Sequence, residues 1–466
     1  MSSVPTTIQQ QLADHGQEHV LHFWDELDSH GQSNLLGQIA SIDFDLFDKL
    51  VGLMKSEQNT TDGEAITPCP CIALDDTSVD WNAMKKSGDN CIRRGGLGVL
   101  TVAGGQGTRL GWRGPKGTFP ASPVTGKSLF QILAEQILFA SGQYGVAIPW
   151  YIMTSGVNHE TTKSFFLDNN CFGLLRTDIF LFKQDVVPAV DDSGKMLLEE
   201  RDRIYMNPDG HGGVVNALKR SGGLEEMNSR GVEHLSYVQV DNPLVKAVDP
   251  IFLGIHCSEL SSGEASSKCV IKTNPDERVG VFCRRGKATN IVEYSDLSTE
   301  QANAKQENGG LVFGCGSIAV HMFSASFIER VASDLPWHVA YKPVSHIDFA
   351  SGNKREDEEP NAYKFERFVF DVLELASNSV VLETRREEEF APIKNASGED
   401  SLQSSVQLQC DRAASWLRSC GVEVSHGADG HTDALVEISP TTAASPDDLQ
   451  TVDLPDSIGS GETVSI

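Results

Sequence analysis

Apolar residues in the first ninety positions recur at helical spacing. Ile8, Leu12, Val20, Leu21, Phe23, Trp24 and Leu27 form one stripe between Thr6 and Leu27, and a second amphipathic stretch runs from Phe44 to Met54 behind a cap at Ser41 or Asp43. The rhythm changes near Gly95. Short apolar runs at Leu97–Ala103, Trp150–Thr154, Ile179–Phe182, Leu235–Val240, Cys269–Lys272, Val279–Arg284 and Ile291–Tyr294 read as strands. Between them lie helical stretches at Ser128–Phe139, Glu160–Asn169, Pro250–Leu260, Ser324–Ser333 and Lys364–Ala376. That alternation predicts an α/β domain around a mixed, mostly parallel twisted sheet. Residues 59–70 read as loop. After Asn395 the texture changes again: Leu402–Cys420 reads as a helix, and the stretch from His426 is rich in Asp, Ser, Thr, Gly and Pro with a β-like run at Ala434–Ile438. Three regions follow: a helical 1–94, an α/β domain over 95–396, and a small β-rich 397–466 with an acidic tail.

The composition narrows the partners. A net charge of −27 over 466 residues opposes general affinity for nucleic acid or anionic membrane. No apolar run approaches the roughly 18 residues that a membrane-spanning helix needs, and the polar Met1–Gln11 lacks the apolar core of a secretory leader. A cytoplasmic protein, monomer or homodimer, is expected. The ten cysteines are scattered, several in apolar surroundings such as Cys269, Cys283 and Cys315. Cys69-Pro70-Cys71 is the one close pair and lacks a second pair at zinc spacing. His15, His19 and His22 read as polar-face residues of the first helical region.

The candidate chemistry begins at Leu97. An apolar strand ends in Ala103-Gly104-Gly105-Gln106-Gly107, with Arg109 two residues on and Lys116 in a stiff Gly-Pro-Lys-Gly turn. Glycines at a strand's C-terminal end let backbone N–H groups approach an anion, and an arginine fork matches phosphate oxygens. This predicts a nucleotide-phosphate cradle. It is not a dinucleotide fingerprint, because Leu110 stands where a third glycine is needed. Ala121–Ser128 nearly spells a P-loop around Lys127, but no strand precedes it, so Lys127 and Ser128 are expected to open a helix instead. Pro208–Gly213 is a second glycine-rich turn, opening a helix. Asp241 ends the strand Leu235–Val240, where a carboxylate near phosphates suits Mg²⁺; a plain turn before Pro243 is the simpler alternative. Lys394 supplies a further cation at the end of the α/β region.

In chain order, Gly104–Gly111, Pro115–Gly117, Pro149–Ser155, Pro208–Gly213, Val240–Asn242, Lys272–Pro275, Val292–Ser295, Leu335–Ala340, Lys364–Asp371 and Arg386–Asn395 resemble the eukaryotic-type UDP-N-acetylglucosamine pyrophosphorylases. The resemblance implies a Rossmann-like nucleotidyltransferase domain that joins UTP and N-acetylglucosamine 1-phosphate into UDP-N-acetylglucosamine and pyrophosphate, with Mg²⁺. By position it implies that Gly104, Gly105 and Gly107 hold the nucleotide and that Gln184 and Gly210 contact the uracil. Arg109 and Lys116 would bind the triphosphate, Asp241 the metal, and Lys394 the sugar-linked phosphate. Gly280, Glu293, Tyr294, Phe368 and Phe370 would line the sugar pocket, with helix-core packing the competing reading for the two phenylalanines.

Two segments depart from that pattern. His211 follows Pro-Asp-Gly where the N-acetylhexosamine enzymes usually carry Asn, and Ser317 stands in Phe313-Gly314-Cys315-Gly316-Ser317 where they also carry Asn. Both segments face the sugar in the family, and histidine at the first resembles UDP-glucose and UDP-sugar pyrophosphorylases. Glucose 1-phosphate or a broader sugar range therefore stays open as the alternative substrate. A non-catalytic nucleotide-binding regulator is the more distant alternative.

Overall fold

The computed structural model describes residues 3–57 and 65–466. They fall into two compact units: Met1–Glu64, Gln184–Gly213 and Asp334–Val369 in the first, and Ala65–Lys183, Val214–Ser333 and Phe370–Ile466 in the second.

The second unit holds the large sheet, whose strands are β1 (Ile66–Pro68), β2 (Leu97–Val102), β3 (Trp150–Thr154), β4 (Ile179–Lys183), β5 (His234–Gln239), β6 (Ala265–Ile271), β7 (Val281–Arg285), β8 (Ala288–Val292), β9 (Cys315–Ser324) and β10 (Val380–Glu383). Strands β5, β2, β3 and β4 lie side by side and parallel. β9 joins antiparallel to β5, and β6, β7, β8 and β1 extend the sheet beyond it, mostly antiparallel, with β10 parallel to β6. The expected mixed sheet with a parallel core is present. β2 and β3 are buried nearly throughout, as continuous apolar runs in a doubly covered sheet should be. β1 falls inside the expected loop 59–70, of which residues 59–64 lie outside the described residues. The long strand β9 and β10 were not expected; β9 carries Gly316, Ser317 and His321 inside it, which breaks the alternation a strand reading relies on.

Helices cover the sheet where expected. Ser128 caps Leu129–Tyr144 through its hydroxyl, which accepts from Gln131 N–H at 3.1 Å. Helices Trp81–Arg93 and Pro250–His256 approach closely because each puts a glycine at the crossing. A Cβ at Gly88 would lie 1.8 Å from the Pro250 carbonyl, and one at Gly254 equally close to that of Met84. Beyond residue 401, helix Leu402–Ser419 packs Ala414, Trp416 and Leu417 against Val436, Leu449 and Ile458. Two small parallel pairs, Glu423–Val424 with Ser457–Ile458 and Leu435–Glu437 with Thr463–Ser465, complete that body.

In the first unit the N-terminal stripe does not make one helix. It forms Thr6–Asp14 and then two 3-10 turns, Glu18–Leu21 and Trp24–Glu26. The helix Phe44–Glu57 begins at Asp43, whose carboxylate accepts from Leu46 N–H at 2.9 Å. Leu12, Val20, Leu35, Ile39, Phe47 and Leu50 share a core with Val190, Met196, Leu198, Ile204 and Phe365 from later hairpins. The expected helix Lys364–Ala376 is absent as such. Its first part is the strand Ala362–Glu366 paired with His338–Lys342, followed by a turn and a short helix Val372–Leu375. Pairing along Tyr363 and Phe365 overrides the local helical spacing.

One ion cluster ties the second unit together. Lys268 on β6 is 1% exposed, with its ammonium 2.6 Å from Asp249 Oδ2 and 2.6 Å from Glu389 Oε2. Thr384 donates to the same Glu389 carboxylate at 2.6 Å. Burial pulls the Lys268 pKa down, but the two carboxylates outweigh it and leave it raised. Removing one member strands buried charge. Lys268→Met is therefore expected to destabilise the fold by about 3–5 kcal/mol, read as a lowered denaturant midpoint with unchanged transition slope.

Candidate active site

The loop after β2 is built from its own backbone. Gly107 N–H donates to Gly114 C=O at 2.9 Å and Lys116 N–H to Gly105 C=O at 3.0 Å, so the two arms of the loop pair across it. Gly111 turns the chain at φ +70°, a left-handed conformation that favours glycine. A Cβ at Gly107 would strike Trp112 at 2.7 Å, whereas one at Gly105 would meet nothing within 4 Å, which leaves open space beside that residue. Buried Asn158 steadies the loop from below, donating to the carbonyls of Ala103 at 3.0 Å and Gly105 at 3.3 Å. Arg109 is exposed on the loop's 3-10 turn.

Lys116 leads from this loop to Asp241. Its ammonium lies 3.0 Å from Asp241 Oδ2, and both side chains are mostly buried, at 18% and 13% exposure. Asp241 follows β5, the parallel neighbour of β2, so both residues stand at the C-terminal edge of adjacent strands, where open α/β sheets bind ligands. Asn242 next to it clamps the chain that carries Lys394. Its amide donates to Glu389 C=O at 2.6 Å and accepts from Ala391 N–H at 3.0 Å, while Asp241 C=O accepts from Ile393 N–H at 2.9 Å. Lys394 is half-exposed, 4.0 Å from Asp400 Oδ2. Burial raises the Asp400 pKa against the pull of Lys394, and the Asp241 charge adds to the rise. Lys394 also acts on Glu293, whose carboxyl burial pushes up while Lys394 draws it down. Lys116, Asp241, Asp400, Lys394 and Glu293 are thus one electrostatic group.

Of the expected sugar residues, Gly280, Glu293, Tyr294, Ser317 and Phe370 belong to the second unit. A Cβ at Gly280 would lie 2.8 Å from Ile291 Cγ2, so the strand pair packs closely there, with Glu293 Oε1 3.8 Å away. Gly280 C=O accepts from Ser317 N–H at 2.8 Å. The Ser317 hydroxyl accepts from Ala319 N–H at 3.3 Å, inside an irregular stretch of β9 where Ala319 has φ +54°. Tyr294 is exposed, and Phe370 is half-buried in a 3-10 turn.

Gln184, Gly210, His211 and Phe368 belong to the first unit. Gln184 donates to Gly210 C=O at 2.6 Å. Gly210 has φ +82°, and a Cβ there would lie 2.3 Å from Arg367 C=O, so both conformation and space require glycine. His211 Nδ1 accepts from Val369 N–H at 3.1 Å, with the ring tilted over Phe368 at 5.4 Å; His338 lies on Phe368 at 4.6 Å. Beneath the turn, Asp209 is 1% exposed, and burial with the nearby Asp185 charge raises its pKa to about 7. Arg367 stacks on Trp337 at 4.0 Å and opposes that rise.

The near-P-loop is not a phosphate site. Lys127 Nζ donates to Glu135 Oε2 at 2.7 Å and Ser439 Oγ at 2.8 Å, while the loop's N–H groups at Val124 and Thr125 both donate to Glu437 Oε2 at 2.8 Å. An internal carboxylate occupies the place an anion would take.

Residues 44–414 match the family model described as UTP–glucose-1-phosphate uridylyltransferase. The chain belongs to that family. It is 35% identical to UDP-N-acetylglucosamine diphosphorylase 2 of Arabidopsis thaliana over 95% of this chain and 90% of the relative. It is 32% identical to the UDP-N-acetylglucosamine pyrophosphorylase of Saccharomyces cerevisiae, over 93% of this chain and 94% of that one. The crystal structure of the Trypanosoma brucei uridine diphosphate N-acetylglucosamine pyrophosphorylase, 24% identical, superposes with a TM-score of 0.81 over 100% of this chain and 99% of that one, which establishes the shared fold.

This family member is a nucleotidyltransferase, and its sequence motifs pointed to most of the residues above. Asn158, Asn242, Asp400, Asp209 and Arg367 went unassigned although Asn242, Asp209 and Arg367 lie inside the motifs. Their work is holding backbone or balancing charge, which residue type alone does not announce. Asp209 gives a testable consequence. Its folded pKa lies above the ordinary carboxyl value, so the folded state binds the extra proton, and stability falls as pH rises from about 4 to about 7. Asp209→Asn lacks that proton, so its stability relative to the parent should climb through that interval and level off above it. Chemical denaturation of both proteins at pH 5 and pH 8 checks the sign.

Proposed function

We propose that the protein transfers the uridylyl group of UTP to N-acetylglucosamine 1-phosphate, giving UDP-N-acetylglucosamine and pyrophosphate. The observation that carries this reading is the Lys116–Asp241 pair at the edge of β2 and β5, beside the glycine loop. The names of the relatives support the choice of sugar. The attacking oxygen of a sugar 1-phosphate is already ionised near neutral pH, so no general base is required. The oxygen attacks the α-phosphorus of UTP, the bond to the β-phosphate breaks, and its electron pair leaves with pyrophosphate. What remains for the protein is alignment and neutralisation of charge. Arg109 and Lys116 would take the triphosphate, Lys394 the sugar-linked phosphate, and the backbone of Gly104, Gly105 and Gly107 the nucleotide. Gln184 and Gly210 are proposed for the uracil. Glu293 and Tyr294 would meet sugar hydroxyls, with Gly280, Phe368 and Phe370 shaping the pocket.

Mg²⁺ fits the residues present. Asp241 is a hard oxygen donor at a strand end, and Asp400 lies near enough to feel its charge; one or two carboxylates with substrate phosphates and water are the usual magnesium set. When bound, the ion would draw negative charge from the phosphates. Lys116 would then give up part of its hold on Asp241 and turn to the phosphates.

His211 and Ser317 favour glucose 1-phosphate as a second substrate. Neither offers an amide, and both already accept a backbone N–H. A pocket lacking a polar partner for the acetamido group discriminates less.

Pyrophosphate release with UTP and a panel of sugar 1-phosphates should show turnover, fastest with N-acetylglucosamine 1-phosphate. UTP binding without turnover on any sugar would instead indicate a nucleotide-binding regulator. Arg109→Ala and Lys116→Ala should each lower kcat by about 10²–10⁴-fold while melting cooperatively. Near-normal kcat would make the residue solvated loop surface. Asp241→Asn should abolish turnover or change its magnesium dependence. Joint replacement by His211→Asn and Ser317→Asn should raise the kcat/KM ratio of N-acetylglucosamine 1-phosphate over glucose 1-phosphate; an unmoved ratio places selectivity elsewhere.

A further inference from the structure

Three cysteines distant in sequence meet on the antiparallel side of the large sheet. Cys269 lies on β6 and Cys315 at the start of β9, in strands that pair with each other. Cys71 precedes Ile72, which bridges in parallel to Leu382 of β10, the other neighbour of β6. The Sγ atoms of Cys71, Cys269 and Cys315 all lie within 4.8 Å of one another. Cys269 is buried and the other two are half-buried, so the cluster can be reached from water; all three are free thiols. Hydrogen bonding among the three thiols lowers the Cys71 pKa and raises that of Cys269. Glu383 sits opposite Cys269 in the β6–β10 register, and its pKa is raised by burial and by the charge of Cys71. Arg284 acts on Cys69 and Arg285 on Cys283.

We propose that Cys71, Cys269 and Cys315 bind one soft or borderline divalent cation of the zinc and cadmium class through their three sulfurs. A zinc–sulfur bond of about 2.3 Å sets the sulfurs of such a site about 4 Å apart, a spacing the cluster reaches by side-chain adjustment alone. Thiolates select these metals over magnesium, whose hard-oxygen partner is Asp241. Water or the Glu383 carboxylate completes the coordination. Binding is an exchange without redox change: the metal enters, and the protons still carried by the thiols leave to solvent. The ion would cross-link the segment at Cys71 to β6 and β9, two residues from Ser317. A second group, Cys91, His234 and Cys257, is equally close-set, and the paired Arg94 and Glu233 both act on its thiols.

The experiment uses the full chain carrying Cys257→Ser, which disables the second group, in a buffer with a reductant that is not a thiol. Cd²⁺ titration, followed by sulfur-to-metal charge-transfer absorption, should saturate at one equivalent. Adding Cys71→Ser should weaken Cd²⁺ binding by more than about 100-fold, beyond the loss expected from an outer hydrogen-bond partner. Cys71→His, which keeps a ligand, should retain Zn²⁺ in competition with a chromogenic chelator. Cys315→Ser gives a second reading should Cys71→Ser fail to fold. Absence of the absorption band in the Cys257→Ser protein overturns the proposal, as does a band that survives both Cys71→Ser and Cys315→Ser.

Discussion

Lys268 holds its ammonium between the Asp249 and Glu389 carboxylates, away from water, and the candidate site is positioned through that contact. Asp249 also accepts the N–H groups of Ile251 and Phe252, so the cluster starts the helix Pro250–His256 whose Gly254 meets the helix Trp81–Arg93. Glu389 carries the chain into the segment that Asn242 grips on both sides. Asp241 and Lys394 therefore inherit their positions from a buried ion pair that touches no substrate group. Charges taken out of water tolerate little displacement, because each lost contact is not replaced by solvent. That intolerance is useful where a carboxylate and two lysines must stay in register.

Charge balance distinguishes the two phosphate-like loops. After β2 the loop leaves open space beside Gly105, Lys116 lies at the sheet edge, and Asp241 is its counter-charge. Around Lys127 the same ingredients are closed by Glu135 and Glu437, and the loop docks the C-terminal body instead. Both lysines meet a carboxylate; the loops differ in that Glu437 takes the N–H groups of Val124 and Thr125, where an anion would bind. Acidic residues outnumber basic ones, 65 to 38, and Lys116, Lys127 and Lys268 each find a carboxylate. The same reasoning separates the oxygen donors at Asp241 from the sulfur donors at Cys71, Cys269 and Cys315, which suit different metals within one sheet.

The two residues that depart from the family pattern, His211 and Ser317, are each tied to backbone. His211 spends Nδ1 on Val369 N–H, and the Ser317 hydroxyl serves the irregular stretch of its own strand. Each side chain is thereby held by its own neighbourhood. Gly210 and Gly212 let the turn lie directly on Arg367 and Phe368, so a side chain at either would displace the main chain.

The sequence by itself determined the parallel strands β2–β5, the glycine loop, the acid at the end of β5 and the helix start at Ser128, and it narrowed the cap of the second amphipathic stretch to Ser41 or Asp43. Those features are local: apolar runs, turn glycines and capping side chains act within a few residues of themselves. Family motifs added the site residues through their order along the chain. Only the tertiary structure decided that the start of the 364–376 stretch pairs as a strand, that β9 exists despite its polar interior, and that the N-terminal helices share a core with hairpins near residues 190 and 365. It also decided which lysines are satisfied and brought three separated cysteines within reach of one another. Partners of that kind are chosen by strand register and burial, and neither quantity is carried by any one segment of the chain.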